Sequence, residues 1–296
     1  MQHQNLIEAV YFAPRGKERL LRLGNYLAGR YLDPGDRLVG FIGPSGMGKS
    51  LLIRGMFPGL QLTNDDENVN VRPLPLVRDA RADSFRNHTY HVDVCFEMAF
   101  VSLSELAASV KTAVLFGRRV VVEHFDTIAP LLPMNAELLV GVGEEVIVAR
   151  PTMFGPRAAQ ISSRVFVSSR YRKMVHTAED LTILTLCDMG QGMPDYHSDL
   201  SHGFILEYER EPTVDLTEVE SQVNQIIANN WPVTYYDEKH IKIGNRIIPC
   251  TGPRIHVSRT GEIQGLALRP NLYLDPLTER YLLVGTVGSV AEEMEA

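Results

Sequence analysis

Cysteine is scarce in this chain. Three thiols, Cys95, Cys187 and Cys250, are spread over 296 residues. An odd, widely spaced set argues against a disulfide framework and fits a reducing compartment. Long apolar runs are also missing: no stretch approaches the ~20 residues that a bilayer span needs. The start, Met1-Gln2-His3-Gln4, has neither the basic nor the apolar part of a secretion signal. The expected location is therefore cytoplasmic, with no membrane partner. Positive charge is in deficit, with 29 Lys and Arg against 36 Asp and Glu and a net charge of −7. That argues against strong non-specific nucleic-acid binding, although a local basic groove remains compatible with it. Internal repeats and low-complexity segments are absent. The length suits one large or two medium domains, each able to bury a core.

What is present centres on Gly43-Pro44-Ser45-Gly46-Met47-Gly48-Lys49-Ser50, which fits the phosphate-loop pattern G-x-x-x-x-G-K-[ST]. An apolar run, residues 37–42, precedes it and reads as a buried parallel strand. Leu51, Leu52, Ile53, Met56 and Phe57 follow as the first turns of a helix. Strand, glycine loop and helix start are what phosphate binding needs: converging backbone N–H groups and a positive dipole end. Lys49 would reach the β- and γ-phosphates, and the Ser50 hydroxyl would hold Mg²⁺.

Around this loop the chain alternates helix and strand. Residues 16–31 carry a helical apolar stripe, and Asp33-Pro34-Gly35-Asp36 is a turn into the loop strand. Residues 61–86 hold an acidic run, Asn64-Asp65-Asp66-Glu67-Asn68, followed by prolines and arginines. They read either as a solvated connection or as a mobile lid. Residues 89–96 alternate as a strand with one polar face, on which Asp93 could hold Mg²⁺. Residues 102–116 read as a helix capped by Ser102 or Ser104. Val120-Val121-Val122-Glu123 is an apolar strand ending in an acid, which would orient water or a metal beside the γ-phosphate. Residues 138–141 and 145–149 read as two short strands around Gly143.

Residues 16–126 resemble the P-loop ATPase subunit of the bacterial machinery that makes threonylcarbamoyladenosine in tRNA. The resemblance lies in Leu21-Arg22-Leu23-Gly24-Asn25-Tyr26-Leu27-Ala28, Pro34-Gly35-Asp36, the phosphate loop with Ile53-Arg54-Gly55, His91-Val92-Asp93 and Val121-Val122-Glu123-His124. It implies ATP and Mg²⁺ as cofactors, Lys49, Ser50 and Asp93 as ligands, and Glu123 near the reacting water. The chain departs from that family in lacking a Thr-Pro-Thr-like switch segment and in carrying His124 where tryptophan is usual.

The second half has its own candidates. In a helix over residues 172–181, His176 and Asp180 are four apart and share a face. Later, Cys250 and His256 flank a tight Thr251-Gly252-Pro253 turn. Taken singly, His176 reads as a helix-surface histidine and Cys250 as a buried thiol. Taken together, the four offer a zinc-type ligand set. Between them lies an amphipathic helix near residues 216–227, capped by Asp215 or Thr217 and ended by Pro232.

This order, with His256-Val257-Ser258-Arg259-Thr260-Gly261-Glu262-Ile263 its strongest part, resembles the second additional domain of alanyl- and threonyl-tRNA synthetases over residues 165–270. Stand-alone proteins that deacylate mischarged alanyl-tRNA share that domain. The resemblance implies zinc at an editing site, with His176, Cys250 and His256 at family positions. Asp180 stands where the second histidine is usual, and two extra residues separate Cys250 from His256.

The expected fold is an α/β P-loop NTPase domain, residues 1–160, followed by an α+β editing-like domain, residues 165–296, with the boundary near residues 162–169. The expected function is an ATP-binding, ATP-hydrolysing protein acting on aminoacyl-tRNA or a related aminoacyl ester. The alternative is an ATP-dependent switch or assembly factor whose second domain recognises a small ligand or a protein partner. A third reading is a small-molecule kinase, with His124 or Asp126 as base.

Overall fold

A computed structural model describes residues 7–63, 74–200 and 202–288. Of residues 61–86, expected as a solvated connection or a lid, the acidic run and the rest of 64–73 lie outside the described residues. The chain forms two compact units, Met1–Val167 and Ser168–Ala296. Among the described residues, no helix is long and apolar enough to cross a membrane.

The first unit is built on a six-stranded sheet. Its elements in chain order are β1 (Glu8–Phe12), α1 (Lys17–Tyr31), β2 (Leu38–Ile42), α2 (Lys49–Met56), α3 (Pro75–Arg81), β3 (Thr89–Asp93), α4 (Val94–Glu97), α5 (Leu103–Leu115), β4 (Arg119–Glu123), α6 (Phe125–Ile128), β5 (Leu138–Val142) and β6 (Glu145–Ala149). The strand order is β1-β6-β5-β2-β4-β3. Strands β5, β2, β4 and β3 are mutually parallel, whereas β6 returns antiparallel from β5 and β1 pairs antiparallel with β6. Every residue of β2 and β5 is buried. That is why both read as unbroken apolar runs rather than alternating ones.

Two local features set the position of the glycine loop, residues 43–50, at this sheet. The turn before β2 is locked from behind. Arg150 donates from Nη1 and Nη2 to the two Asp36 carboxylate oxygens at 2.8 and 2.9 Å, and Arg119 Nε donates to the Asp36 carbonyl at 2.7 Å. In addition, α1 packs directly on α2. A Cβ on Gly24 would stand 2.4 Å from the Leu52 carbonyl oxygen, and one on Gly55 would stand 2.3 Å from that of Leu21. The glycine pair sets the spacing of the two helices.

Several expected boundaries shift. The strand expected over residues 89–96 ends at Asp93, because the Asp93 side chain accepts from the Phe96 N–H and caps α4. Its polar positions His91 and Asp93 are buried, so that face points into the unit rather than to solvent. Ser102, not Ser104, caps α5 by accepting from the Glu105 N–H.

The units part after Val167, within the expected residues 162–169 and inside a 31-residue helix, α7 (Ala158–Asp188). Residues 174–186 of α7 are all buried, among them His176, Thr177, Glu179, Asp180, Thr182 and Thr185. The threonines satisfy themselves by donating to the carbonyl four residues back, at 2.7–2.9 Å. The rest of the second unit is β7 (Tyr196–Leu200), β8 (Gly203–Tyr208), α8 (Leu216–Ala228), β9 (Val233–Asp237), β10 (His240–Ile243), β11 (Arg246–Pro249), β12 (Ala267–Leu268), β13 (Tyr273–Leu274) and β14 (Tyr281–Thr286). They form an antiparallel sheet, β12-β14-β8-β7 with β13 on β14, and a three-stranded sheet, β11-β10-β9. Asp215, not Thr217, caps α8, which ends at Ala228 before Pro232 is reached. Met174, Val175, Ala178 and Leu181 of α7, Val219 and Val223 of α8, and Phe204, Leu206 and Leu283 of the larger sheet share one core.

Candidate functional sites

The first site sits at the C-terminal end of β2, in the middle of the parallel strands, where an open α/β sheet leaves its crevice. Gly43 has φ +139° and passes so close to β5 that a Cβ would lie 2.2 Å from the Val142 carbonyl oxygen. Gly48 has φ +95° and starts α2. Only glycine fits the first position, and the second favours it strongly. Lys49 is 4% exposed and lies along the loop, with Nζ donating to the carbonyls of Gly43 at 3.0 Å and Pro44 at 2.9 Å. Burial lowers its pKa, and the charges of Glu123 and Asp93 pull the other way.

The Ser50 hydroxyl donates to Glu123 Oε1 at 2.8 Å. The same oxygen lies 3.2 Å from His91 Nε2. On the far side of that ring, Nδ1 accepts from the Thr63 N–H at 3.0 Å. The Thr63 bond occupies the Nδ1 lone pair, so the ring proton sits on Nε2 and faces Glu123. Burial pushes the Glu123 carboxyl up, but the His91 bond, the Lys49 charge and the Ser50 bond outweigh it and hold it below the usual carboxylate range. A carboxylate so held is a fixed anion behind Ser50 and a weak base.

Asp93 lies opposite Glu123 in the β3–β4 register. The glycine loop, Lys49, Ser50 and Glu123 thus come together at one strand end, and Asp93 stands at the neighbouring one. Asp126 accepts from Ser162 at 2.7 Å. Sequence reasoning missed Thr63, the last described residue before position 74, because nothing near it marks a motif.

The second site is within the second unit. One ligand atom each from His176, Asp180, Cys250 and His256 lies within 4.8 Å of all the others. His176 Nε2 and His256 Nε2 are each 3.2 Å from Cys250 Sγ, and His256 Nε2 is 3.6 Å from Asp180 Oδ2. Edges of a tetrahedral zinc site built from ordinary bond lengths are about 3.4–3.6 Å. His176 is 1% exposed, so the surface reading of that residue fails. It lies on a helix buried all round.

The outer contacts fix which atoms point inward. His256 Nδ1 is 3.2 Å from Thr177 Oγ1, whose own proton goes to the Lys173 carbonyl at 2.7 Å. Thr177 can then only accept, so His256 carries its proton on Nδ1. His176 Nδ1 faces Glu179 Oε2 at 3.4 Å and Asp199 Oδ2 at 3.7 Å, two acceptors, so its proton sits there too. Both Nε2 lone pairs consequently point at the Cys250 sulfur and the Asp180 carboxylate. Cys250 Sγ itself accepts from the Gly252 N–H at 3.2 Å. Four acceptors converging on one point is a donor set that fits a cation, with imidazole–carboxylate contacts typical of metal-bound histidine. Glu179 also contacts His197 Nδ1 at 2.7 Å. Of these outer residues, Glu179 carried a readable signal, at i+3 from His176 on the same helix face. Asp199 and His197 come from β7 and carried none.

No protein-family model matches this chain, and no curated protein sequence matches it. Among solved structures, a Thermus thermophilus aspartate aminotransferase double mutant aligns over 94% of this chain and 71% of its own. The identity is 15% and the TM-score 0.23, too low to carry any argument about fold or function.

Proposed function

We propose that this chain is a Mg²⁺-dependent ATP-binding protein of the P-loop type, an α/β NTPase unit joined to an α+β, zinc-holding, editing-like unit that acts on an aminoacyl ester such as aminoacyl-tRNA. The observation that carries the nucleotide reading is the Ser50–Glu123 hydrogen bond at the end of the central parallel strand. It places an anion behind the hydroxyl that faces Mg²⁺ in P-loop proteins, next to a lysine that its own loop positions. Phosphate oxygens would replace the Gly43 and Pro44 carbonyls as acceptors for Lys49, and the loop N–H groups with the α2 N-terminus would hold the β-phosphate. Glu123, kept ionised by His91 and Ser50, acts here by orienting Ser50 and the metal rather than by taking a proton from water.

In the second unit, His176, Asp180, Cys250 and His256 would hold zinc. A zinc ion supplies Lewis acidity and a more acidic bound water. The chain's own part is orientation: Thr177 and Glu179 keep both imidazoles turned inward, and Gly252 steadies the sulfur. The ATP-dependent switch reading shares the nucleotide site and differs in having no turnover in this unit.

Phosphate release from ATP, and release of amino acid from mischarged tRNA, measured on the full chain, decide between them. The ester-cleaving reading expects deacylation that falls in Cys250→Ala and stays in Lys49→Ala. Binding of ATP with no deacylation of any mischarged tRNA would overturn it in favour of the switch.

A further inference from the structure

We propose that the first unit carries a metal centre of its own beside the phosphate loop, formed by Asp93, Cys95 and His124 and selective for a zinc-class divalent ion. A carboxylate oxygen, the thiol sulfur and an imidazole nitrogen of these three lie within 4.8 Å of one another. The chain path explains the meeting. Strands β3 and β4 are parallel neighbours, with Asp93 opposite Glu123 in register. One step beyond β4, His124 takes a left-handed conformation, φ 57° and ψ 41°. One step beyond Asp93 the chain turns into α4, whose first turn holds Cys95. All three are thus presented at one edge of the crevice, and the Cys95 residue is exposed.

The ligand chemistry selects the ion. Magnesium takes hard oxygen ligands, whereas a thiolate with an imidazole and a carboxylate selects zinc or cobalt. The surrounding charge permits a cation: the carboxylates of Asp93, Glu123 and Asp126 act on His124 against the Lys49 ammonium. Three protein ligands leave a fourth position open, as in sites where an ion binds an exogenous ligand. A second consequence rests on the nucleotide reading above, extended to Asp93 as a Mg²⁺ ligand as the sequence suggests: Asp93 then serves both ions, and zinc here competes with Mg²⁺-ATP.

The test is cobalt titration of the full chain with the near-ultraviolet cobalt–thiolate absorption as readout, on wild type, Cys95→Ser, Cys250→Ser, the Cys95→Ser/Cys250→Ser double variant and His124→Asn in the Cys250→Ser background. Asparagine tolerates the left-handed conformation, and position 95 is exposed, so both first-unit variants are expected to fold. The expected result is a thiolate band in Cys250→Ser that disappears in the Cys95→Ser/Cys250→Ser double variant, and a Cys95→Ser protein that binds one cobalt fewer than wild type. His124→Asn weakens the ion retained by Cys250→Ser. A Cys250→Ser protein without a thiolate band, or a band unchanged by Cys95→Ser, overturns the proposal. Failure of the four-ligand centre shows differently: wild type then has one band, removed by Cys95→Ser and untouched by Cys250→Ser. As a second readout, zinc lowers ATP binding by wild type and less so by Cys95→Ser. Equal sensitivity of the two proteins overturns the competition.

Discussion

Replacing Gly24 by alanine tests how the phosphate-loop helix is held. On α1, a new Cβ would stand 2.4 Å from the Leu52 carbonyl oxygen, 3.0 Å from Gly55 Cα and 3.1 Å from the Met56 nitrogen, all backbone atoms of α2. Ordinary contact begins near 3.4 Å, so the helices must separate by about 1 Å. Backbone cannot step aside as a side-chain tip can, so the upper part of the usual 1–3 kcal/mol range for overpacking applies. Alanine recovers about 1 kcal/mol of helix propensity. The net expectation is about 2 kcal/mol of destabilisation, with weaker nucleotide binding because α2 begins at Lys49. Gly29 in the same helix is the control. It is exposed and a Cβ there meets nothing within 4 Å, so Gly29→Ala should gain about 0.5–1 kcal/mol. Denaturant midpoints of the first unit's transition measure both. A Gly24→Ala protein as stable as Gly29→Ala would refute the close helix contact and the reasoning built on it.

Other expectations can be measured alongside. Burial pushes the Glu97 carboxyl up from 4.5 to about 8. In the folded state it keeps a proton that the unfolded chain has lost, so its contribution to stability is full below pH 4.5 and is lost as pH rises to about 8. The full span is worth about 5 kcal/mol. Glu97→Gln should flatten that part of the stability–pH curve, and an unchanged slope would show that the carboxyl is not buried. In the second unit, Glu179→Gln should weaken zinc binding about 10–100-fold with all four ligands intact; competition with a chelator reads it out, and unaltered affinity contradicts the positioning role. Arg150→Met removes the two-pronged partner of a buried Asp36. Arg150 is about a third exposed, so the cost is discounted from the usual 3–5 kcal/mol for breaking a buried pair to about 2 kcal/mol. Thermal or denaturant unfolding measures it, and no loss would mean that solvent replaces the guanidinium.

The two sites were legible in the sequence to different depths. The phosphate loop is a contiguous pattern whose glycines answer to local demands, so strand, loop and helix could all be placed around it. The four-ligand set was legible as two pairs, because i, i+4 spacing on a helix and a short turn bring each pair together locally. Their residue types alone suggested one zinc-type set, and the resemblance to an editing domain strengthened that reading, but no spacing marks the 74 positions between His176 and Cys250. His176 misled because a histidine among Arg172, Lys173, Glu179 and Asp180 has a surface composition. The structure buries that stretch by letting threonines bond back along the helix and by pairing acids with imidazoles. The domain boundary was legible in position, since the units part after Val167 within the expected residues 162–169, but not in form. Ser162, Ser163, Ser168 and Ser169 carry no helix signal of their own, yet α7 passes through them without a break. Asp93 was assigned to a metal from its strand position, and its capping bond to Phe96 had no signal apart from the strand's early end. The network from Thr63 through His91 to Glu123 joins residues 28 and 32 positions apart, a spacing no periodicity marks.

The central claim is that residues 43–50 bind Mg²⁺-ATP, with Lys49 on the phosphates and Ser50 on the metal. Isothermal titration of ATP into the full chain tests it most directly, with and without Mg²⁺ and with Lys49→Ala and Ser50→Ala alongside. The account predicts one site per chain, lost in Lys49→Ala, with the Mg²⁺ dependence gone in Ser50→Ala. A wild-type protein that takes up no ATP in the presence of Mg²⁺, or a Lys49→Ala protein that binds it equally well, would contradict it.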